Sequence, residues 1–385
     1  MIDVLIVDDS PVVRAALRAI IESDPDMRVA GEAHDGRAAL AMVHAIAPHV
    51  VVMDFRMPVM DGLEATRLIM QERPTPIVIV SGVLNPEEVA ENFKALEAGA
   101  LALMAKPRLV GDAGIDTEAM ASVARTVRLM SDVPVVRRRP LLARGKASGE
   151  AGLPGGASLP RASCGVSDAP AVPLWPTIYK PGIHRLLAVR ASTGGPQALR
   201  ALLAGLHRDF PVPVLVVQHI AKGFLPGLVE WLDMVTPLNV RIAVHGETCR
   251  RGTVYFAPDN SHMMVDDRLV VRLSDSPPVE GLKPAVSVLF DSVADTVGCR
   301  GVGVLLTGMG RDGAAGLAHM AAKGALTIAQ DKASSIVHGM PGAAIKLRAA
   351  RHVLALDDIA SFLAKTLGCP VGGGGAPDSR DGGDG

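Results

Sequence analysis

Twice along this chain, short uninterrupted apolar runs alternate with segments whose apolar residues recur at helical spacing, and most of the runs stop on a polar residue. Apolar runs of this length, free of polar alternation, read as strands covered on both faces. With helices between them, they give a parallel sheet with helices on either side. In the first half the runs are residues 2–7, 29–33, 50–53, 77–80 and 101–105. Pro11 opens a helix with Val12, Leu17, Ile20 and Ile21 on its apolar face. Asp35-Gly36 leads into a helix over 37–47, which Pro48 stops. Ligands of such sheets bind beyond the carboxyl ends of the strands. Those ends carry Asp8, Asp9, Asp54, Ser81 and Lys106. Three carboxylates repel one another unless a cation sits among them, and oxygen ligands with room for water and phosphate suit Mg²⁺. Lys106 can pair with a carboxylate or phosphate, and Ser81 can hydrogen-bond a phosphoryl oxygen. Taken singly, each is a solvated strand-end residue. Five together are hard to obtain by chance.

The second half repeats the alternation with different chemistry. Residues 186–189 are apolar and lead into Val189-Arg190-Ala191-Ser192-Thr193-Gly194-Gly195-Pro196, after which leucines recur at helical spacing. A serine at a strand-to-helix turn is exposed at the sheet's edge. Glycines after it allow close approach, and Pro196 suits a first helical turn. Those eight residues alone fit a helix-capping serine, or a glycine turn that holds a phosphate, better than a nucleophile. Residues 212–217 form a strand ending at Gln218-His219, and residues 303–306 a strand ending in Thr307-Gly308-Met309-Gly310-Arg311-Asp312-Gly313 before a helix over 314–322. Residues 325–329 are a further strand. Residues 254–258 and 269–273 are expected to pair as a hairpin arm. Ser192, His219 and Asp312 therefore each follow the carboxyl end of a parallel strand. A serine needs a base to take its proton, a histidine serves near neutral pH, and an aspartate orients the imidazole. The chain holds other histidines, among them His184, His245, His262 and His338, so position alone does not single out His219.

Composition removes several classes. Thirty-nine basic residues against 40 acidic ones leave no excess for nucleic acid, and no helix-turn-helix pattern is visible. No apolar run approaches bilayer length, and the amino terminus enters a strand at once without the basic start of a signal peptide. The four cysteines, Cys164, Cys249, Cys299 and Cys369, are widely spaced and fit a reducing compartment. The expectation is a soluble cytoplasmic protein with no nucleic-acid partner and no membrane insertion.

Asp8-Asp9-Ser10, the run from Asp54 to Gly62, Ser81 and Lys106-Pro107 together resemble the receiver domain of two-component response regulators. That resemblance implies a flavodoxin-like domain over about 1–125, in which Asp54 accepts a phosphoryl group from a chemotaxis-type histidine kinase. Asp8, Asp9, Asp54 and the carbonyl of Arg56 would surround Mg²⁺, while Ser81 and Lys106 would contact the phosphoryl group. The segments around Ser192, His219, Asp312 and Gln330-Asp331, with Tyr255-Phe256-Ala257-Pro258 and residues 333–345, resemble the catalytic domain of the chemotaxis protein-glutamate methylesterases over about 182–367.

This second resemblance implies a Rossmann-like hydrolytic domain with a Ser192–His219–Asp312 triad. Met309 would supply a backbone N–H to the oxyanion, with Thr193 and Gly194 shaping that wall, and no cofactor is implied for the esterase chemistry. The substrates implied are glutamate methyl esters, and often glutamines, on methyl-accepting chemoreceptors. The resting receiver is expected to cover the cleft until it is phosphorylated. The expected division is a receiver over 1–125, a helix end and flexible linker over 126–181, the catalytic domain over 182–370 and a disordered tail over 371–385. Arg190 stands where the family usually has glycine. The rival reading is a phospho-receiver adaptor or phosphate sink that has kept the catalytic domain only as a docking surface. Asp331 has no catalytic role that the residues suggest.

Overall fold

The computed structural model describes residues 1–82, 86–107, 109–110, 114–115, 117–133, 135 and 183–370. The expected linker beyond residue 135, with Arg137, Arg138, Arg139, Trp175 and Tyr179, lies outside the described residues, as does the expected tail from 371.

The first unit runs β1 (Ile2–Val7), α1 (Pro11–Glu22), β2 (Met27–Ala33), α2 (Gly36–Ile46), β3 (Val50–Asp54), α3 (Gly62–Glu72), β4 (Ile77–Ser81), α4 (Pro86–Ala98) and β5 (Ala102–Ala105). A two-residue antiparallel pair, β6 (Leu109–Val110) and β7 (Gly114–Ile115), precedes α5 (Thr117–Ser131). The five long strands form a parallel sheet in the order β2-β1-β3-β4-β5. Every residue of β3 and β4 is buried, which is why those stretches are apolar without alternation. Helix starts are set by side chains. The Ser10 hydroxyl accepts the Val13 N–H, and the carboxylates of Asp35 and Asp61 accept those of Ala38 and Glu64, each at 2.8 Å. Such a cap contributes about 1 kcal/mol. Val12 is a correction. It was expected on the buried face of α1 but is exposed, and Ala16 packs inward in its place with Leu17, Ile20 and Ile21.

The second unit runs β8 (Leu186–Ala191), α6 (Gly195–Ala204), β9 (Val214–Gln218), α7 (Leu225–Val235), β10 (Asn239–Ile242), β11 (Thr253–Phe256), β12 (His262–Val265), β13 (Val271–Ser274), α8 (Val286–Thr296), β14 (Gly301–Leu305), α9 (Ala314–Ala322), β15 (Leu326–Gln330), α10 (Met340–Lys346), β16 (His352–Leu354) and α11 (Leu356–Leu367). Seven strands form a parallel sheet in the order β10-β11-β9-β8-β14-β15-β16. The chain leaves β8 towards one edge and later returns to its other side at β14. The carboxyl end of β8 is therefore the switch point where such sheets open a crevice.

The expected hairpin is corrected here. Thr253–Phe256 is a strand of the main sheet, between β10 and β9, and the antiparallel arm pairs β12 with β13. Val254, Tyr255 and Phe256 are buried, as an interior strand requires, so their apolar run belongs to the sheet core.

The two units meet through α4. Phe93 stacks on Trp231 of α7 with ring centroids 5.4 Å apart, and the Trp231 indole N–H donates to Glu97 at 3.1 Å. Arg200 of α6 lies 3.7 Å from Glu97, and the Gln197 amide donates to the carbonyl of Ala100. Thus α4 rests on α6 and α7, the helices that follow Ser192 and His219. Ile336 and Val337 also pack against the apolar core under β1, β3 and β4.

Candidate active site

At the edge of the first sheet, Asp8, Asp9 and Asp54 offer carboxylate oxygens that all lie within 4.8 Å of one another. Lys106 Nζ bridges two of them, 2.9 Å from Asp8 Oδ2 and 2.8 Å from Asp54 Oδ2. Burial raises the Asp54 pKa above the ordinary carboxylate value, partly opposed by Lys106. Burial alone would lower the lysine's pKa, but hydrogen bonds to Asp54 and Asp8 outweigh it and raise it. Asp8 Oδ2 is buried and has the Lys106 ammonium as its sole close partner among the described residues, which leaves a lone pair for a cation. Three hard oxygen donors with one face exposed at Asp9 fit Mg²⁺.

Arg56 follows β3, and its side chain reaches 3.9 Å from Glu91 of α4. Ser81 ends β4 beside Ala105 of β5, and its hydroxyl accepts from the Asn92 amide of α4 at 3.0 Å. Sequence reasoning missed Asn92, which links the strand end to the helix that docks on the second unit. Its signal, a polar residue at a buried helical position, is visible only once the face is known.

In the second sheet, register brings the site together. Ala191 pairs with Gln218, so Ser192 and His219 emerge side by side, and Arg190 pairs with Leu305 of the neighbouring strand, which leads to Thr307. The Ser192 N–H donates to the Thr307 carbonyl at 3.1 Å, and the Gln218 amide donates to the Ser192 carbonyl at 3.0 Å. A Cβ on Gly308 would lie 2.6 Å from Ser192 Cβ, so only glycine lets these loops close. The Gly308 N–H is spent on the Val337 carbonyl. Among the described residues, the N–H groups of Thr193 and Gly194, next in the chain after Ser192, and of Met309, next after Gly308, have no such partner.

His219 and Asp312 approach to 3.6 Å, both largely buried. The Asp312 carboxylate also receives the N–H groups of Val286 at 3.3 Å and Ser287 at 3.4 Å, at the start of α8. One imidazole nitrogen, Nε2, lies 2.7 Å from the Pro284 carbonyl. The other, Nδ1, lies 2.7 Å from Arg190 Nη2. Arg190 Nε donates to Asp312 at 3.2 Å, so the guanidinium stands between carboxylate and imidazole. Burial, then the Arg190 charge, push the His219 pKa down to about 4 against the pull of Asp312. The Ser192 hydroxyl has no hydrogen-bond partner among the described residues. Asp312, Arg190 and His219 are in side-chain contact, and Ser192 follows the strand beside the one that ends at His219.

Two of the rival histidines are held by backbone groups. His262 holds the Ala285 N–H and the Pro277 carbonyl, and His245 holds the Leu273 N–H. Asp331 turns out to be a scaffold residue. It takes the N–H and hydroxyl of Ser334, whose carbonyl receives the Gln330 amide, and Gln330 in turn holds the Thr307 N–H at 2.8 Å. That chain fixes the loop beneath Gly308.

Two family models match this chain. One, described as CheB methylesterase, covers residues 187–363, and one described as response regulator receiver domain covers residues 4–111. The protein-glutamate methylesterase/protein-glutamine glutaminase 4 of Geobacter metallireducens is 45% identical over 364 residues, covering 94% of this chain and 98% of that protein. The corresponding protein 3 of Hahella chejuensis is 48% identical over 362 residues, covering 94% and 97%. That of Nitrosospira multiformis is 45% identical over 368 residues, covering 95% and 97%.

Proposed function

This chain belongs to the family of CheB methylesterases that carry a response-regulator receiver domain, and from that premise we propose that it is a phosphorylation-gated protein-glutamate methylesterase of chemotaxis adaptation. Its substrates are glutamate 5-methyl esters, and by the same attack glutamine amides, on the cytoplasmic helices of methyl-accepting chemoreceptors. It works in the cytoplasm. No helix among the described residues is long and apolar enough to cross a membrane. The observation that best supports this reading is the approach of His219 to Asp312 beside the strand end that bears Ser192, with α4 of the receiver resting on the helices that follow Ser192 and His219.

Ser192 Oγ bonds to the ester carbonyl carbon as its proton passes to His219. The carbonyl oxygen becomes an oxyanion, received by the N–H groups of Met309, Thr193 and Gly194. Each such donor contributes about 3 kcal/mol to the transition state. The carbon–methoxy bond then breaks, His219 returns the proton to the leaving oxygen, and methanol departs. Water attacks the acyl-serine with His219 as base, leaving glutamate and restoring Ser192.

In the receiver, Asp54 takes the phosphoryl group from a histidine kinase. Mg²⁺ held by Asp8, Asp9, Asp54 and the Arg56 carbonyl would offset the negative charge of the transfer. Lys106 exchanges an Asp54 oxygen for a phosphoryl oxygen, and the Ser81 hydroxyl turns from Asn92 to the new group. Helix α4 loses that tie and shifts on Trp231, Gln197 and Arg200, which uncovers the cleft.

The adaptor reading draws on the two imidazole nitrogens being already held and on the unengaged serine. A serine-directed phosphonate separates the two. The gated esterase is expected to be labelled at Ser192, faster in acetyl phosphate and Mg²⁺. A phosphorylated protein that stays unlabelled would favour the adaptor.

A further inference from the structure

Among the described residues, Arg190 is the largest sealed charged side chain, at 1% exposure, and it sits beside His219 and Asp312. Its strand neighbours do not require it. Leu186, Leu187, Ala188, Val189 and Ala191 make β8 a buried apolar strand, and a guanidinium at its fifth position costs desolvation that burial of a leucine would not. The cost is met by three acceptors. Arg190 Nε reaches Asp312 Oδ2 at 3.2 Å, Nη2 reaches His219 Nδ1 at 2.7 Å, and Nη1 donates to the Ala191 carbonyl. A planar fork can serve a carboxylate and an imidazole at once, whereas an ammonium cannot hold both in one plane.

The contacts also fix the proton. Arginine only donates, so Nδ1 must present its lone pair, and the ring N–H is then on Nε2, where the Pro284 carbonyl at 2.7 Å accepts it. The direct Asp312–His219 approach of 3.6 Å exceeds a hydrogen bond, so the carboxylate reaches the imidazole chiefly through the guanidinium. We propose that Arg190 is a positioning residue of the esterase, which joins Asp312 to the Nδ1 face of His219 and holds the base neutral in a single tautomer with its lone pair occupied until substrate engages. This rests on His219 acting as the base of the reaction proposed above.

The charged groups that act on His219 are Arg190 from β8 and Asp312 from the loop before α9. Lys283, next to Pro284, turns its ammonium to the Asp275 carbonyl, and Lys222, on the loop after β9, is exposed. His262 is occupied by backbone on both nitrogens. Among the described residues the ring therefore has one cation in contact, and removing it should make His219 a stronger base. The lowered pKa of His219 agrees in direction.

The test is an NMR titration of His219 in the full-length protein, read beside the pH profile of kcat/KM on a methylated receptor fragment. In the wild type, the imidazole is expected to stay neutral, with the Nε2 proton tautomer, to well below the ordinary histidine midpoint. Arg190→Met is expected to raise that midpoint and the acidic limb of kcat/KM together. Arg190→Lys keeps a charge and loses the fork, so it is expected to keep the midpoint low while kcat falls at least tenfold. A wild-type His219 that titrates at the ordinary midpoint would overturn the proposal without any variant. So would a folded Arg190→Met with an unmoved midpoint, or an Arg190→Lys with unchanged kcat. If the wild type lacks esterase activity while its titration is as expected, the enzyme reading fails and the assignment of Arg190 to His219 stands.

Discussion

The two sheets place a cation in the same relation to their reactive groups and bury it to different depths. In the receiver, Lys106 bridges Asp8 and Asp54, and its side chain is 23% exposed. In the catalytic unit, Arg190 bridges Asp312 and His219 and is sealed. A partly exposed ammonium on a flexible stem can change partners when a phosphoryl group arrives, at modest desolvation cost. A buried guanidinium held by three acceptors can release the imidazole only while it keeps its bond to Asp312, since breaking a buried ion pair typically costs about 3–5 kcal/mol. One cation belongs to a switch. The other belongs to a fixed constellation.

The sharpest break of the comparison is at the nucleophile. Ser192→Ala is expected to reduce methanol release by roughly 10⁴-fold or more, with the receiver still phosphorylated at its usual rate. Gly308→Ala comes next, because the new methyl would fall 2.6 Å from Ser192 Cβ. Displacing a reacting atom by about 1 Å costs on the order of a hundredfold, so kcat should fall by about that factor while KM changes little. Asp54→Ala should abolish stimulation by acetyl phosphate and Mg²⁺ and leave the low resting rate. Equal stimulation of that variant would sever the receiver from the gate.

Stability against pH compares the two sites more gently. The His219 pKa is about 4 when folded against an ordinary 6.5 for histidine, so between these the unfolded chain binds more protons. Its contribution is complete above the unfolded value and is lost as pH falls towards 4. The difference is at most on the order of 3 kcal/mol, and less with partial exposure. Chemical denaturation of wild type and His219→Gln from pH 7 to 4 should show the wild type losing more. Parallel curves would place the effect elsewhere. The smallest effect expected is at the docking face. Trp231→Phe removes the indole N–H bonded to Glu97 and keeps the stacked ring, so unphosphorylated activity should rise a few-fold. An unchanged resting rate would take that bond out of the gate.

Much of this was legible in the chain, for identifiable reasons. Strands β1, β3, β4, β9, β14 and β15 are buried along most of their length, so their apolar runs mark both position and direction, and the residues after them fall at the sheet edge. Strand β10 was missed because Asn239 and Arg241 face solvent at an edge, and its run looks like a loop. Thr253–Phe256 was assigned to the wrong partner because an apolar run does not say which strand lies beside it. Arg190 was visible as a departure from a pattern. Its meaning depends on Leu305 pairing beside it and on a loop that returns Asp312 from 122 residues away, which no local signal carries. Asn92, Gln218 and Gln330 were silent for the same reason, since amides that tie a distant hydroxyl or backbone group have no spacing rule.

The most direct test of the account is methanol release from a methylated receptor cytoplasmic fragment, with and without acetyl phosphate and Mg²⁺, using Ser192→Ala as the control. The account predicts release that depends on Ser192 and rises on phosphorylation of Asp54. No release from a cognate receptor fragment by protein phosphorylated at Asp54 would contradict it.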